Sequence, residues 1–401
     1  MYDTLFAHRH YTMKIIYLIT YVALANGVEK FEVFRQWTLL NYTWRSQAEY
    51  KDALKTRRYV PQNNAPAGIK IYRNILYASV PKFREGVPVT LTTVENKPFN
   101  PLLTPFPSWE LNDDSDCGNL QNVQSMEIDT KGTMWVLDGA RINNYTRCPT
   151  KLVLLDLNNV GKVIRVKVFP NEVSLKVGGF LNDLVVDETS GGFAYITDAS
   201  PVDPGLIVYS KEKNEAWKLR DSSMFSGKTD PQLFIKGSVV DSSYPIDGIA
   251  LSPPRDDRIV YYCSVGSDVL YSIPTSVLKN QQLANTGEWR KNITAVGRKL
   301  GQSDGITIDS DGDLFYTLPT FYGVGKWNTS TPLWTSELFD RDEQQMVWTD
   351  GFAFDQRGYI YLITNYMYKF IQPKETLFHD GRVLFRVFRY HTGTKSYLYD
   401  K

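Results

Sequence analysis

Cysteine and histidine are scarce, with three of the first and four of the second among 401 residues. Cys117, Cys148 and Cys263 lie far apart, and His8 and His10 fall within the first ten residues, so no zinc-type cluster is expected. His379 and His391 sit in the C-terminal tail and read as surface residues. There is no Gly-x-Ser-x-Gly elbow, phosphate-cradling Gly-x-x-x-x-Gly-Lys-Ser/Thr loop or dinucleotide Gly-x-Gly-x-x-Gly. That argues against triad hydrolysis and nucleotide chemistry, and no metal or organic cofactor is expected. An excess charge of either sign is also lacking: 45 Lys plus Arg stand against 44 Asp plus Glu, which favours neither nucleic acid nor an anionic membrane as partner. No apolar run reaches the length of about 18 residues that a spanning helix needs.

What the chain has is repetition. An apolar strand, an Asp or Gly turn and an aromatic-rich strand recur six times, starting at Ile69, Met126, Leu184, Ile249, Ile306 and Phe352. The starts lie 57, 58, 65, 57 and 46 residues apart. A unit of that length holds about four short strands, and four-stranded sheets repeated around an axis make a propeller. Aromatic residues at 13% suit sheets packed face to face. The expectation is an all-β, six-bladed β-propeller with a central channel, one domain over 26–401. The C-terminal VLFRVFRY is expected to pair with the N-terminal FEVFRQW and complete the last blade.

The segment 1–25 reads as an export signal, with translation starting at Met1 or Met13. Lys14 precedes the apolar run Ile15 to Ala25, which ends in the small-x-small pattern Ala23-Leu24-Ala25. Four N-x-S/T sequons, at Asn41, Asn144, Asn292 and Asn328, agree with a secreted glycoprotein. Export permits disulfides, and Cys117 and Cys148 flank the hairpin of the second repeat, so a bridge is expected there. Cys263, in the strand IVYYCSV, is then a buried small hydrophobe.

Polar residues recur where the innermost strand of each repeat begins: Gln124 and Ser125, Asn182 and Asp183, Asp247, Asp304 and Asp350. The antiparallel second strand returns Asp138, Asp198, Ser264, Thr317, Thr364 and Asn365 to the same face. One account is turn chemistry, each carboxylate capping its own loop amides. The other is convergence at one mouth of the channel, where like charges raise one another's pKa unless a cation intervenes. Trp109, Tyr244, Phe321, Tyr322, Trp348 and Tyr366 lie close by in sequence and offer ring faces to an aromatic or cationic ligand.

QWTLLNYTW, MEIDTKGTMWVLDGAR, RCPTKLVLLDL, LVVDETSGGFAYITDAS, YPIDGIALSP, GKWNTSTP and YLITNYMYKF occur in that order. On these segments the chain resembles the insect yellow and major royal jelly protein family over essentially all of the sequence after the leader. The resemblance implies a secreted six-bladed propeller linked to cuticle pigmentation and melanin formation, dopachrome conversion or binding of biogenic amines. It places late-blade ligand contacts at Thr317, Thr320, Phe321, Asn365 and Tyr366, although LPTFYGV departs from the family's Asn-containing segment. Lys326 stands where relatives carry a cysteine, so the second family disulfide, to Cys263, is expected to be missing. Calcium-dependent lactonase propellers place a Glu where this chain has Ala67-Gly68, which argues against that chemistry.

The expected function is binding of a small amine-bearing aromatic, or a catechol or indole derivative, in the channel, within catecholamine and melanin chemistry. Asp183, Asp247, Asp304 and Asp350 would set the potential, and Thr317, Thr320, Phe321, Asn365 and Tyr366 would shape the pocket. The alternatives are a dopachrome tautomerase using Asp247 or Asp304, and a structural or storage glycoprotein.

Overall fold

The computed structural model describes residues 30–139, 148–226, 232–240, 243–371 and 380–399. The expected leader, the Asn144 sequon and His379 lie outside them. Six four-stranded antiparallel sheets surround one axis. From the axis outward, blade 1 holds Ile69–Tyr72, Ile75–Ser79, Leu91–Val94 and Leu103–Pro105. Blade 2 holds Val123–Ile128, Thr133–Asp138, Lys151–Asp156 and Lys162–Val168. Blade 3 holds Leu181–Asp187, Phe193–Asp198, Gly205–Ser210 and Glu215–Leu219. Blade 4 runs Ile246–Leu251, Ile259–Ser264, Val269–Pro274 and Thr294–Arg298; blade 5 runs Ile306–Ile308, Asp313–Leu318, Gly323–Asn328 and Glu337–Arg341. The innermost strands touch in sequence around the axis and back to blade 1.

Blade 6 closes the ring with strands from both ends of the chain. Thr349–Phe354, Tyr359–Thr364 and Phe385–His391 come from the C-terminal part, and the outermost strand is N-terminal, Glu32–Trp37, paired with Glu32 opposite Arg389 and Trp37 opposite Phe385. This is the pairing expected from FEVFRQW and VLFRVFRY, and it removes the edge each terminal strand would otherwise expose. The 65-residue spacing between the third and fourth repeats accommodates an extra hairpin, Leu233–Ile235 with Ser238–Val240.

The aromatic strand of the repeat has a structural reason. Tyr77, Trp135, Tyr195, Tyr261, Phe315 and Tyr361 occupy the same register of the second strand in all six blades, and every one is buried. Each ring fills the wedge between sheets, where burial of such a side chain contributes about 2–3 kcal/mol. The Asp of the hairpin turn does cap amides, at the far end of the inner strands. Asp129 accepts from the Thr133 amide at 2.8 Å, Asp309 from Asp313 at 2.9 Å and Asp355 from Tyr359 at 3.0 Å.

Cys117 and Cys148 form the expected disulfide, with Cα atoms 5.4 Å apart, and Cys263 is an unbridged, buried core residue. Lys326 pairs with Asp313 at 2.6 Å. Past His391 the chain folds back beneath the blades. Thr394 donates to Asp309 at 2.9 Å, the Tyr397 amide to the Ile308 carbonyl at 3.2 Å, and Arg258 to the Tyr397 carbonyl at 3.0 Å. Tyr397 thereby closes one end of the channel. Among the described residues no helix is long and apolar enough to cross a membrane.

Candidate functional site

The innermost strands of blades 2, 3, 4 and 6 carry the same irregularity. The pairing with the second strand slips between Val123 and Met126, Leu181 and Leu184, Ile246 and Ile249, and Thr349 and Phe352. A bulge re-aims side chains, and here it turns Ser125, Asp183, Asp247 and Asp350 toward the axis, where Asp304 of blade 5 joins them. Hydroxyls of the second strands fix these segments. Thr197 Oγ1 accepts from the Asp183 amide at 3.0 Å and donates to the Asp247 carbonyl of the next blade at 2.7 Å. Ser79 does the same between Gly68 and Gln124, at 2.8 and 2.7 Å.

The Asp-Gly pairs at 247–248 and 304–305 are therefore contacts between blades rather than turns, whereas Gly351 after Asp350 has open space, with the Ala67 carbonyl 4.0 Å away. A Cβ on Gly248 would lie 2.3 Å from the Asp304 carbonyl oxygen, and one on Gly305 2.4 Å from that of Asp350. Only glycine allows neighbouring blades to approach so closely while each preceding Asp faces the channel.

Four carboxyls from four successive blades thus line one cavity of about 630 Å³. Asp247 is buried and the other three are half-buried, each keeping one side toward the cavity. Burial raises the pKa of all four; for Asp247 and Asp350 the charge of Asp304 adds to it, and Asp304 is pushed up to about 6. Asp247 and Asp304 share a hydrogen bond. Trp348 Nε1 donates to Asp304 at 2.6 Å, Asn365 Nδ2 to Asp350 at 2.5 Å and Ser125 Oγ to Asp183 at 2.8 Å. Among the described residues no Lys or Arg forms an ion pair with any of the four. Nor do three or more His, Cys, Asp or Glu there gather as metal ligands. Asp138 and Asp198 end differently, held by the buried Lys151 at 3.1 Å and Lys218 at 2.8 Å.

Above the carboxyls, Phe83, Phe180, Tyr244, Trp348, Met367 and Phe370 form an apolar collar; below them lie Lys70, Glu127 and Tyr397. The sequence reading brought the four aspartates and two of the aromatics, Tyr244 and Trp348, to the cavity. It misplaced others. Thr317 and Asn365 are fully buried behind the ring, Thr317 accepting the Asp304 amide at 2.9 Å and Asn365 pinning Asp350. Thr320 and Phe321 do not line the cavity: they belong to a short 3₁₀ turn, Pro319–Phe321, that leaves Phe321 exposed on the surface. Tyr366 packs beside Tyr368, outside the cavity, and Trp109 lies against Trp44 in a separate aromatic group. Lys70, Glu127 and Tyr397 escaped the sequence reading. The first two sit one layer below the polar positions it followed, and Tyr397 belongs to no repeat.

These features define a six-bladed propeller whose blind channel holds a ring of four inward-facing acids. The sequence model of the major royal jelly protein matches residues 121–388, more than half of the chain. The chain belongs to the insect yellow and major royal jelly protein family. Protein yellow of Drosophila melanogaster is 26% identical over 381 residues, spanning 89% of this chain and 68% of its own length. Dopaminechrome tautomerase of the same species is 25% identical over 325 residues, 77% of this chain and 69% of its own. A luciferin-regenerating enzyme superposes with a TM-score of 0.50 at 15% identity, over 83% of this chain and 93% of its own, a likeness of fold alone.

Proposed function

We propose that this protein is a secreted member of the family that binds a small aromatic molecule carrying a cationic nitrogen, and acts in the catecholamine and melanin chemistry of the cuticle. One observation carries the reading: four inward-facing carboxyls share a cavity, and among the described residues none of the four is ion-paired to a Lys or Arg, the Lys70 that lines the same cavity being paired with Glu127. A bound ammonium relieves their mutual repulsion, and the collar of Trp348, Tyr244 and Phe370 supplies ring faces. Asp183, Asp247, Asp304 and Asp350 hold the nitrogen, while Thr317 and Asn365 act by fixing Asp304 and Asp350. Secretion is supported by the leader-like run at 15–25 and by the disulfide. The sequons at Asn292 and Asn328 lie on exposed residues, ready for glycans.

The hydrogen bond between Asp247 and Asp304 favours a second reading, tautomerisation of a dopaminechrome-like quinone. Asp304, as carboxylate, takes a carbon-bound proton; the electron pair moves through the conjugated ring to the quinone oxygen, and that oxygen takes up a proton. Nothing is oxidised or reduced. Calorimetric titration with dopamine, serotonin and octopamine, beside a dopaminechrome-decay assay, separates the readings. Saturable binding without faster decay supports the carrier, and decay abolished in a folded Asp304→Asn variant supports the enzyme. Absence of both leaves a structural or storage glycoprotein.

A further inference from the structure

Below the acidic ring, on the innermost strands of blades 1 and 2, stand Lys70 and Glu127, at a register two residues beyond that of Asp183 and three beyond those of Asp247, Asp304 and Asp350. At a strand rise of about 3.3 Å per residue this layer lies about 7–10 Å beneath the acids, room for one aromatic ring. Glu127 is fully engaged: Oε1 accepts the Ile128 amide at 2.8 Å, and Oε2 accepts the Tyr397 hydroxyl at 3.1 Å and meets Lys70 Nζ at 3.2 Å. Tyr397 is itself fixed by the Val186 amide, which donates to its hydroxyl at 2.9 Å. Lys70 is less committed. Its ammonium has three N–H donors; one faces Glu127, and a second reaches the Phe352 carbonyl at 3.4 Å. The third is left for the cavity that Lys70 lines, between the apolar walls of Leu184, Ile249 and Phe352.

We infer that Lys70 is the oxygen-binding group of this channel, donating to a hydroxyl or quinone oxygen on the ligand's aromatic ring while the acidic ring above holds the nitrogen. This deepens the function proposed above and rests on it. Because Glu127 already balances the charge of Lys70, an uncharged ring oxygen fits, whereas a carboxylate would meet Glu127 and Asp183 at short range. The ligand class is then hydroxylated or quinonoid arylamines without a carboxylate, in preference to amines with a bare ring. In the tautomerase reading the same ammonium stabilises the charge that gathers on the quinone oxygen as the carbon-bound proton leaves.

Tyramine and phenethylamine differ by the one hydroxyl in question, so their calorimetric titration against the whole protein is the test. Wild type is expected to prefer tyramine about tenfold or more, the usual gain from a hydrogen bond to a charged donor. A Lys70→Met/Glu127→Gln double variant leaves no unpaired buried charge and is expected to lose that preference while still binding phenethylamine; Lys70→Arg is expected to keep it. Equal affinities in wild type, a measurement that needs no variant, overturn the inference, as does an unchanged preference in the folded double variant. If wild type binds neither amine, the functional reading itself falls and the inference with it.

Discussion

Replacing Asp304 by Asn removes one charge from the ring while keeping an acceptor for Trp348 Nε1, and the variant should be more stable than wild type at neutral pH. The sign follows from where protons bind. Near pH 3 and below, the ring carboxyls are protonated in the folded protein and largely so in the unfolded chain, and the ring costs little. As pH rises past the ordinary carboxylate value the unfolded chain releases its protons while the fold, with its raised pKa values, retains them, so stability falls until pH passes the folded value. For Asp304 that window runs from 3.8 to about 6. At 1.36 kcal/mol per unit the full effect is about 3 kcal/mol. With an unfolding entropy of about 2 cal/mol/K per residue this corresponds to about 4 °C in Tm for a domain of this size. The assay is a set of thermal melts of both proteins from pH 3 to pH 8 without ligand. The difference should be near zero at pH 3 and approach its plateau by pH 7. A variant less stable than wild type at pH 7.5, or a difference that ignores pH, would refute the reasoning.

Gly305→Ala places a methyl group 2.4 Å from the Asp350 carbonyl oxygen, which also accepts the Gly305 amide at 2.9 Å, so the two blades have no room to part. Denaturant unfolding should report a loss of about 3 kcal/mol; a loss below 1 kcal/mol would show that the blades yield. Cys263 occupies the register held by Ser79, Thr197 and Thr317 in other blades, where a hydroxyl braces the inner strand. Cys263→Ser should therefore stay within about 1 kcal/mol of wild type in the same assay despite its full burial. Removing the bridge with Cys117→Ala and Cys148→Ala frees a loop whose ends lie 31 residues apart. Urea titration should show a cost of about 4 kcal/mol, and an unchanged midpoint would contradict it.

The architecture was legible because every blade repeats one solution. The aromatic at Tyr77, Trp135, Tyr195, Tyr261, Phe315 and Tyr361 fills the same wedge six times and leaves a period in the sequence. The acids at the start of the inner strands were legible for the same reason, but the meaning of Gly248 and Gly305 after two of them was not, since the oxygen each avoids belongs to the next blade. Asp138 and Asp198 shared the pattern, yet buried lysines neutralise them. Those partners lie on other strands, Lys151 directly opposite Asp138 and Lys218 on the outermost strand of blade 3. Lys70 and Glu127 face each other across two blades without repeating, and Tyr397 reaches them from a tail that crosses beneath the ring. Such pairings depend on closure of the whole propeller and leave no local period.

The central claim is that the ring of Asp183, Asp247, Asp304 and Asp350 takes the cationic nitrogen, and proton-linked calorimetry addresses it most directly. Dopamine is titrated into the protein at pH 6.5 in buffers of different ionisation enthalpy, with wild type and Asp304→Asn side by side. Because the ring carries protons that a bound cation displaces, wild type should release a measurable fraction of a proton per ligand bound, and the variant should release less and bind more weakly. Saturable binding with no proton release, and with equal affinity in the variant, would place the ligand elsewhere.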